Sequence, residues 1–390
     1  MNPPRVFLYV QHLLGIGHLK RTATLARALV AEGMQVTLAS GGPAVPAMAL
    51  DGVRLVQLPP ASAGDLSFKV LVDENGREID AEWKRRRSAA LLAAWRAAAA
   101  HSGPQLLVLE LFPFGRRQMR FELLALLEAA AAAPRRPTVV CSVRDILGGQ
   151  KSPERQKETL DLVQRCFDHV LVHGDPSVVG LEQTFPLAPR IAQKLHYTGY
   201  VVDEPVPDAN RTGRDEVIVS AGGGAVGAAL LETAIRAKPL TSLRARTWRV
   251  LAGNNLPETV FQRLAALASK EAGVELERSR SDFRTLLANC AISVSQAGYN
   301  TLLETVQAGA RALVVPFAGG HESEQTLRAR CFAERGLLEV LEESALTPPS
   351  LAAALDRMAA GPRPSPGAID LGGARKSAAL IARWARQSSA

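Results

Sequence analysis

The segment Gln11-His12-Leu13-Leu14-Gly15-Ile16-Gly17-His18 follows a short apolar run and leads into a helical pattern at Leu19. Gly15 and Gly17 let the backbone approach a ligand closely. His18 falls at the helix N-terminus, where partial positive charge disfavours imidazolium and keeps the ring a neutral base. The same residues also read as turn glycines followed by a capping side chain. A second glycine loop, Ser220-Ala221-Gly222-Gly223-Gly224-Ala225-Val226-Gly227, stands between another apolar run and another helix. The amides around Gly222, Gly223 and Gly224 suit an anion nest for a diphosphate, or a plain strand-to-helix turn. A third segment runs strand, glycine turn, helix through Ser295, Gln296, Gly298, Asn300, Thr301 and Glu304. Glu304 lies about one turn beyond Asn300 on the same face, where a carboxylate suits a ribose diol. The strand ending at Pro316 is followed by Gly319, Gly320 and His321, then Glu324 and Gln325 at a helix start. An acid and an amide there suit sugar hydroxyls. Either of the last two segments alone reads as ordinary capping; together, at adjacent strand ends, they point to a binding edge.

These loops need a frame. In the first half, strands are expected at 6–11, 35–40, 53–59, 106–112, 138–143 and 169–174, with helices near 19–32, 81–100, 117–132 and 153–165. Short β-branched runs alternating with helical patterns predict a parallel sheet covered on both faces. Ser152-Pro153 is a helix start in which Ser caps free amides and Pro fits the first turn. The polar, Pro-rich stretch 203–214 reads as an interdomain linker. Alternation then restarts, with strands at 217–221, 248–252, 274–277, 291–295, 312–316 and 338–341 and a last helix near 374–387. Ligands on such sheets bind beyond the carboxyl ends of the strands. That edge also receives Glu110, the turn Phe112-Pro113-Phe114-Gly115-Arg116-Arg117, and the pair Arg144-Asp145. For Glu110 and Asp145, acceptor positioning or catalysis stands beside a loop salt bridge or helix cap.

Neither glycine loop is a good dinucleotide fingerprint. Lys20 stands where the first would need glycine, and the strand after each loop ends without a ribose-binding acid, at Ser40 and at Gly253-Asn254-Asn255. With 390 residues, 47% hydrophobic and 22% charged, the chain has material for two folded domains. A net charge of +8 favours anionic partners, but the arginines are scattered and lack interleaved aromatics, which argues against nucleic acid. The one dense run, Lys84-Arg85-Arg86-Arg87, is expected on a solvated helix face. Cys141, Cys166, Cys290 and Cys331 lie far apart in apolar stretches, which suggests reduced, buried thiols and neither a zinc site nor a disulfide framework. No signal peptide and no run of ~18 apolar residues is visible, so a cytoplasmic protein is expected, with peripheral contact at the inner membrane face left open.

The blocks Gly15-Ile16-Gly17-His18, Gly222-Gly223-Gly224, Ser295 to Glu304 and Pro316 to Gln325 resemble, in that order, motifs of the GT-B glycosyltransferases. The resemblance is to the branch that adds N-acetylglucosamine to lipid-linked peptidoglycan precursors, and closer still to an uncharacterised group of predicted glycosyltransferases. It covers nearly the whole chain and is densest over 280–336. It implies an α/β GT-B fold: two Rossmann-like open parallel-sheet domains facing a central cleft. Residues 1–203 would be the acceptor domain, 204–373 the nucleotide-sugar donor domain, and 374–390 a helix crossing back to the first. It implies transfer of a hexose-type sugar from a UDP-, dTDP- or GDP-sugar, UDP first among them, to a hydroxyl or amine. The transfer would be inverting, with no permanently bound cofactor and no metal, consistent with the lack of an Asp-x-Asp motif. Gly222 to Gly224 would contact the pyrophosphate, Glu304 the ribose, Glu324 and Gln325 the sugar, and Arg278 and Ser279 the base. His18 would be the base or an electrostatic partner at the acceptor. The acceptor, whether lipid-linked, saccharide or small metabolite, is not named by the sequence. A nucleotide-sugar epimerase of the same fold and a non-catalytic nucleotide-sugar or polyanion-binding protein are the alternatives.

Overall fold

The computed structural model describes residues 3–46, 48–65, 70–99, 103–148, 152–205, 211–223, 226–317, 319, 324–364 and 366–387. The chain divides into two compact units. Unit 1 holds Met1–Leu147, Lys151–Asp203 and Gly372–Ala390; unit 2 holds Gly148–Gln150 and Glu204–Leu371.

Unit 1 contains strands β1 (Arg5–Val10), β2 (Gln35–Ser40), β3 (Val53–Gln57), β4 (Ser62–Ala63), β5 (Leu71–Val72), β6 (Leu106–Glu110), β7 (Thr138–Arg144), β8 (His169–His173) and β9 (Leu195–Tyr197). Its helices are α1 (Gly17–Ala31), α2 (Ala81–Ala99), α3 (Arg120–Ala131) and α4 (Pro153–Cys166), joined by the chain's last helix, α11 (Gly373–Gln387). Seven strands form one parallel sheet in the order β3-β2-β1-β6-β7-β8-β9, while β4 and β5 make a small antiparallel pair. Strand side chains alternate between faces. Phe7 and Tyr9 therefore join Leu107 and Leu109 under Leu91, Trp95, Leu123 and Val163 of α2, α3 and α4. Val6, Leu8 and Val10 point the other way, with Leu106 and Val108, against Leu25 and Leu29 of α1 and Ile381 and Trp384 of α11. Ser152 caps α4, accepting from the Arg155 amide at 3.4 Å with Pro153 in the first turn.

Unit 2 contains β10 (Val217–Ser220), β11 (Trp248–Leu251), β12 (Val274–Glu277), β13 (Ile292–Ser295), β14 (Ala312–Val314) and β15 (Glu339–Val340). Its helices are α5 (Ala228–Ala237), α6 (Glu258–Ala268), α7 (Phe283–Asn289), α8 (Tyr299–Gln307), α9 (Glu324–Ala333) and α10 (Pro348–Ala360). The parallel order β12-β11-β10-β13-β14-β15 turns back at β10, the doubly wound pattern. Val217, Val219, Trp248 and Val250 pack on one face with Leu230, Leu264 and Leu355. Ile218 and Leu251 pack on the other with Leu286.

Two sequence expectations are corrected. Arg87 is not on a solvated face: it is fully buried, and its guanidinium grips Glu122 through two bonds of 2.8 and 3.0 Å. Cys166 is only half-buried, unlike Cys141, Cys290 and Cys331; all four are free thiols. The stretch read as a linker contains the boundary between the two units, and its described ends are each held by their own unit. Asp203 accepts from Thr24 at 2.6 Å, Arg284 donates to the Glu204 carbonyl at 2.6 Å, and Asn289 donates to the Thr212 carbonyl at 2.8 Å. Among the described residues, no helix is long and apolar enough to cross a membrane.

Candidate active site

The sheet of unit 1 turns back between β1 and β6, and there the loops of its neighbouring strands diverge. Glu110, Arg144 and His173 are the last residues of β6, β7 and β8, so the parallel register lines them along one edge. His18, the second residue of α1, reaches this edge. Its Nδ1 lies 2.6 Å from Glu110 Oε1, and its Nε2 lies 2.7 Å from Arg144 Nη2. A carboxylate only accepts and a guanidinium only donates. The neutral ring therefore carries its hydrogen on Nδ1 and accepts from Arg144 at Nε2. Arg21, one turn along α1, also donates to Glu110 Oε1. Arg116 comes back from the turn after β6, where Leu111 (φ 66°) and Arg116 itself (φ 59°) take left-handed backbone. Its Nε donates to the Gln11 carbonyl at 2.6 Å.

This setting fixes the charges. Burial disfavours protonated His18; Glu110 opposes that effect, while Arg144 and Arg116 add to it, so the ring stays neutral well below its ordinary range. Burial alone would raise the Glu110 carboxyl, but His18, Arg21 and Arg116 more than offset it and hold it below the usual carboxylate range. Asp145 is fully buried, and its Oδ1 accepts from the Ile146 amide at 2.9 Å. Gly17 opens α1, whereas Gly15 sits in the bend before it, between exposed Leu14 and Ile16, with nothing within 4 Å of where a methyl would project. Beside the turn after β6 lies a cavity of ≈ 210 Å³ lined by Phe112, Phe114, Arg116, Arg117, Arg155 and Glu158, with neighbours.

Two residues of this edge were missed from sequence. Arg21 follows His18 by three positions, one helical turn, and that spacing was the available signal. His173 lies at the end of a strand whose residues were not singled out. It is fully buried, 2.7 Å from Ser142 Oγ and 3.0 Å from Thr198 Oγ1. Burial pushes its pKa down to about 3, with Arg21 adding to the effect and Glu110 opposing it. The folded value lies below the unfolded one, so its contribution to stability is complete above pH ~6.5 and is lost as pH falls toward 3. We expect the wild type to lose about 1.4 kcal/mol more per pH unit than His173→Gln between pH 6 and 4. Denaturant midpoints taken across that range measure the difference.

In unit 2 the glycine loop after β10 turns at Gly222 (φ 61°), whose amide donates to Ser220 Oγ at 3.1 Å. Gly227, at φ 114°, precedes α5; a methyl there would lie 2.9 Å from Ala221 Cβ and 3.2 Å from the Gln296 amide. The Asn255 amide donates to the Gly223 carbonyl at 3.2 Å, and the Gln296 amide to the Ser220 carbonyl at 3.3 Å. Thr301 Oγ1 stands 3.8 Å from the position of a methyl on Gly222. Ser220, Gly222, Gly223, Gln296 and Thr301 are thereby gathered where the unit 2 sheet turns back. Asn254 Oδ1 accepts from Ser279 at 2.9 Å, which joins the loops after β11 and β12. The Arg278 side chain donates to the Leu256 carbonyl at 3.0 Å with its guanidinium 4.4 Å above the Phe261 ring. Gly298 precedes α8 in extended backbone with open space beside it, Asn300 and Thr301 fill the first turn, and Glu304 is buried in the second. Gln325 Oε1 accepts from the Phe317 amide at 3.3 Å, and Glu324 pairs at 3.0 Å with buried Arg328, which lies 5.0 Å over the Tyr299 ring. Gly224 and His321 lie outside the described residues. Among the described residues, no group of three or more His, Cys, Asp or Glu is arranged to hold a metal ion.

Two doubly wound parallel-sheet units, each with its polar residues at the carboxyl edge, give this chain the GT-B glycosyltransferase fold. The crystal structure of Acinetobacter baumannii MurG matches 99% of this chain and 100% of its own at a TM-score of 0.57 and 16% identity. The glycosyltransferase family 28 C-terminal domain matches residues 218–368, and over most of its length the chain is similar to a glycosyltransferase of the MurG type. The UDP-N-acetylglucosamine–N-acetylmuramyl-(pentapeptide) pyrophosphoryl-undecaprenol N-acetylglucosamine transferase of Phenylobacterium zucineum is 28% identical over 360 residues, 89% of this chain and 87% of its own. The Ralstonia nicotianae protein of that name is 31% identical over 147 residues, 37% of this chain and 40% of its own. The chain spans about half the length of the first curated relatives it matches: 40, 50 and 57%.

Proposed function

We propose that this protein moves a hexose-type sugar, N-acetylglucosamine first among the candidates, from a UDP-sugar to an acceptor hydroxyl or amine, with inversion and without a bound metal. The observation that carries the reading is the pairing of His18 Nδ1 with buried Glu110 at 2.6 Å. Glu110 holds the ring in the tautomer whose Nε2 can take a proton, the arrangement of an oriented general base. Nε2 takes the acceptor's proton as the acceptor oxygen or nitrogen bonds to the anomeric carbon. The bond from that carbon to the diphosphate breaks, and its electron pair leaves with UDP. The amides of Gly222 and Gly223 and the open N-terminus of α8 suit that leaving charge. Glu304 would take the ribose and Glu324 with Gln325 the sugar hydroxyls; the loops after β11 and β12, at Asn254 and Ser279, would border the base. Acceptors would approach along the turn at 112–117 and the cavity beside it. The work would be done in the cytoplasm or at the inner face of its membrane.

The donor half is tested by thermal unfolding against UDP, dTDP, GDP, ADP and NAD. A ligand at about a hundred times its dissociation constant adds about 2.7 kcal/mol. We expect UDP to give this shift and Glu304→Ala to remove it without lowering the unliganded transition by more than a few degrees. Stabilisation by NAD alone would overturn the donor assignment.

A further inference from the structure

The nitrogen that must receive the proton is not open. His18 Nε2 accepts from Arg144 Nη2 at 2.7 Å, while Nδ1–H donates to Glu110 at 2.6 Å, so both ring nitrogens are engaged. We propose that Arg144 is a positioning residue that keeps the His18 base closed until an acceptor displaces its guanidinium, and that this contact guards the sugar donor against hydrolysis by water. The proposal rests on the reading of His18 as the base.

The charges around the ring support it. Glu110 faces His18 from β6, Arg144 from β7 and Arg116 from the following turn, and Arg21 lies one turn along α1. One carboxylate thus stands among three guanidiniums, and its Oε1 is already shared between His18 and Arg21. A water at the anomeric carbon becomes a nucleophile only if Nε2 takes its proton. With Arg144 in place that lone pair is occupied, and an imidazolium formed there would face a second cation at contact distance. When the guanidinium swings aside, Nε2 is freed while Glu110 still holds Nδ1–H, so orientation survives the opening. The backbone need not move, because Arg144 ends β7 in register with His173. The device therefore resides in one side chain.

Two measurements on the full chain test it, with Arg144→Met and Arg144→Lys. The first is nitrogen and carbon NMR of labelled histidine, with the His18 signals identified by their loss in His18→Gln. In Arg144→Met we expect the Nε2 resonance to move toward that of a free imine nitrogen and the His18 midpoint to rise by about one pH unit or more. Arg144→Lys should stay near the wild type, and unchanged His173 signals would report an intact fold. The second is UDP release from UDP-N-acetylglucosamine without acceptor, expected to rise about tenfold or more in Arg144→Met. Unchanged His18 signals in Arg144→Met would overturn the contact. Altered signals with no rise in acceptor-free hydrolysis would overturn the guard. If neither protein ever cleaves a donor, the transferase reading fails and the guard falls with it, while the histidine spectra still decide the contact.

Discussion

His18→Ala should lower turnover by about 10²- to 10⁴-fold, the usual worth of a positioned general base. Unit 1 should stay folded, because His18 keeps 18% of its side chain exposed and Glu110 retains its bond from Arg21. UDP affinity should be unchanged, since the proposed diphosphate loop belongs to unit 2. The effect belongs in kcat. Turnover within tenfold of the wild type would remove His18 from the chemistry and with it the role given to Glu110. Glu110→Gln is the companion variant. The amide preserves shape but can present its NH2 group to Nδ1, which then favours the opposite tautomer, and kcat should drop by a similar factor. It also leaves Arg21 beside a neutral group, so some loss of stability is expected with it.

The second large effect lies away from the chemistry. Arg87 and Glu122 are both wholly buried, paired through two hydrogen bonds of 2.8 and 3.0 Å, and Tyr9 donates a third at 2.5 Å. Burial raises the Glu122 carboxyl above its ordinary value, and Arg87 and the Tyr9 hydroxyl offset only part of that rise. Arg87 also donates to Gln11 Oε1 at 2.9 Å and to the Gly41 carbonyl at 3.0 Å, tying α2 to the loops that follow β1 and β2. Glu122→Leu would strand a buried guanidinium and should cost about 3–5 kcal/mol, a large part of the ~5–15 kcal/mol by which folded domains are stable. Adding Arg87→Met should return much of that loss, because an apolar pair of similar volume needs no desolvation. Denaturant unfolding of both singles and the double variant decides it. If Glu122→Leu costs under 1 kcal/mol, the pair is not the anchor described.

Both effects bear on what the sequence could tell. Each strand long enough to show alternation or a β-branched run was legible: 217–221 was expected where Val217–Ser220 lies, and 35–40 where Gln35–Ser40 lies. The pair β4 and β5, two residues each, is too short to carry a period, and β9 is little longer. Parallel sheets covered on both faces followed from alternation, whereas the strand order came only with the structure. The site was legible as separate residues and not as contacts. Glu110 was singled out because it ends a strand and His18 because it begins a helix, but they are 92 positions apart and only the sheet order joins them. Arg87 shows the opposite failure. Four consecutive cations look like a solvated face, yet they span most of the circumference of a helix, so one must point inward. Trp83, Arg87, Leu91 and Trp95 recur every fourth position, the spacing of a buried stripe, and all four are buried. That stripe was the signal, and the charge run hid it.

The order of the chain has a consequence at the ribosome. Ala378, Ile381 and Trp384 of α11 fill the same core as Val6, Leu8 and Val10, and the Trp384 ring stacks on His169 at 3.8 Å. Val201 and Gly372 are bridged, so the polypeptide leaves unit 1 and re-enters it at neighbouring points. While residues 204–371 are being synthesised, the first-made sheet must wait with one apolar face partly bare. Unit 2 has all its strands before the covering helix emerges, so the half translated second can reach its native state first. The nascent first half is the one that needs shielding from aggregation, by a chaperone or by speed.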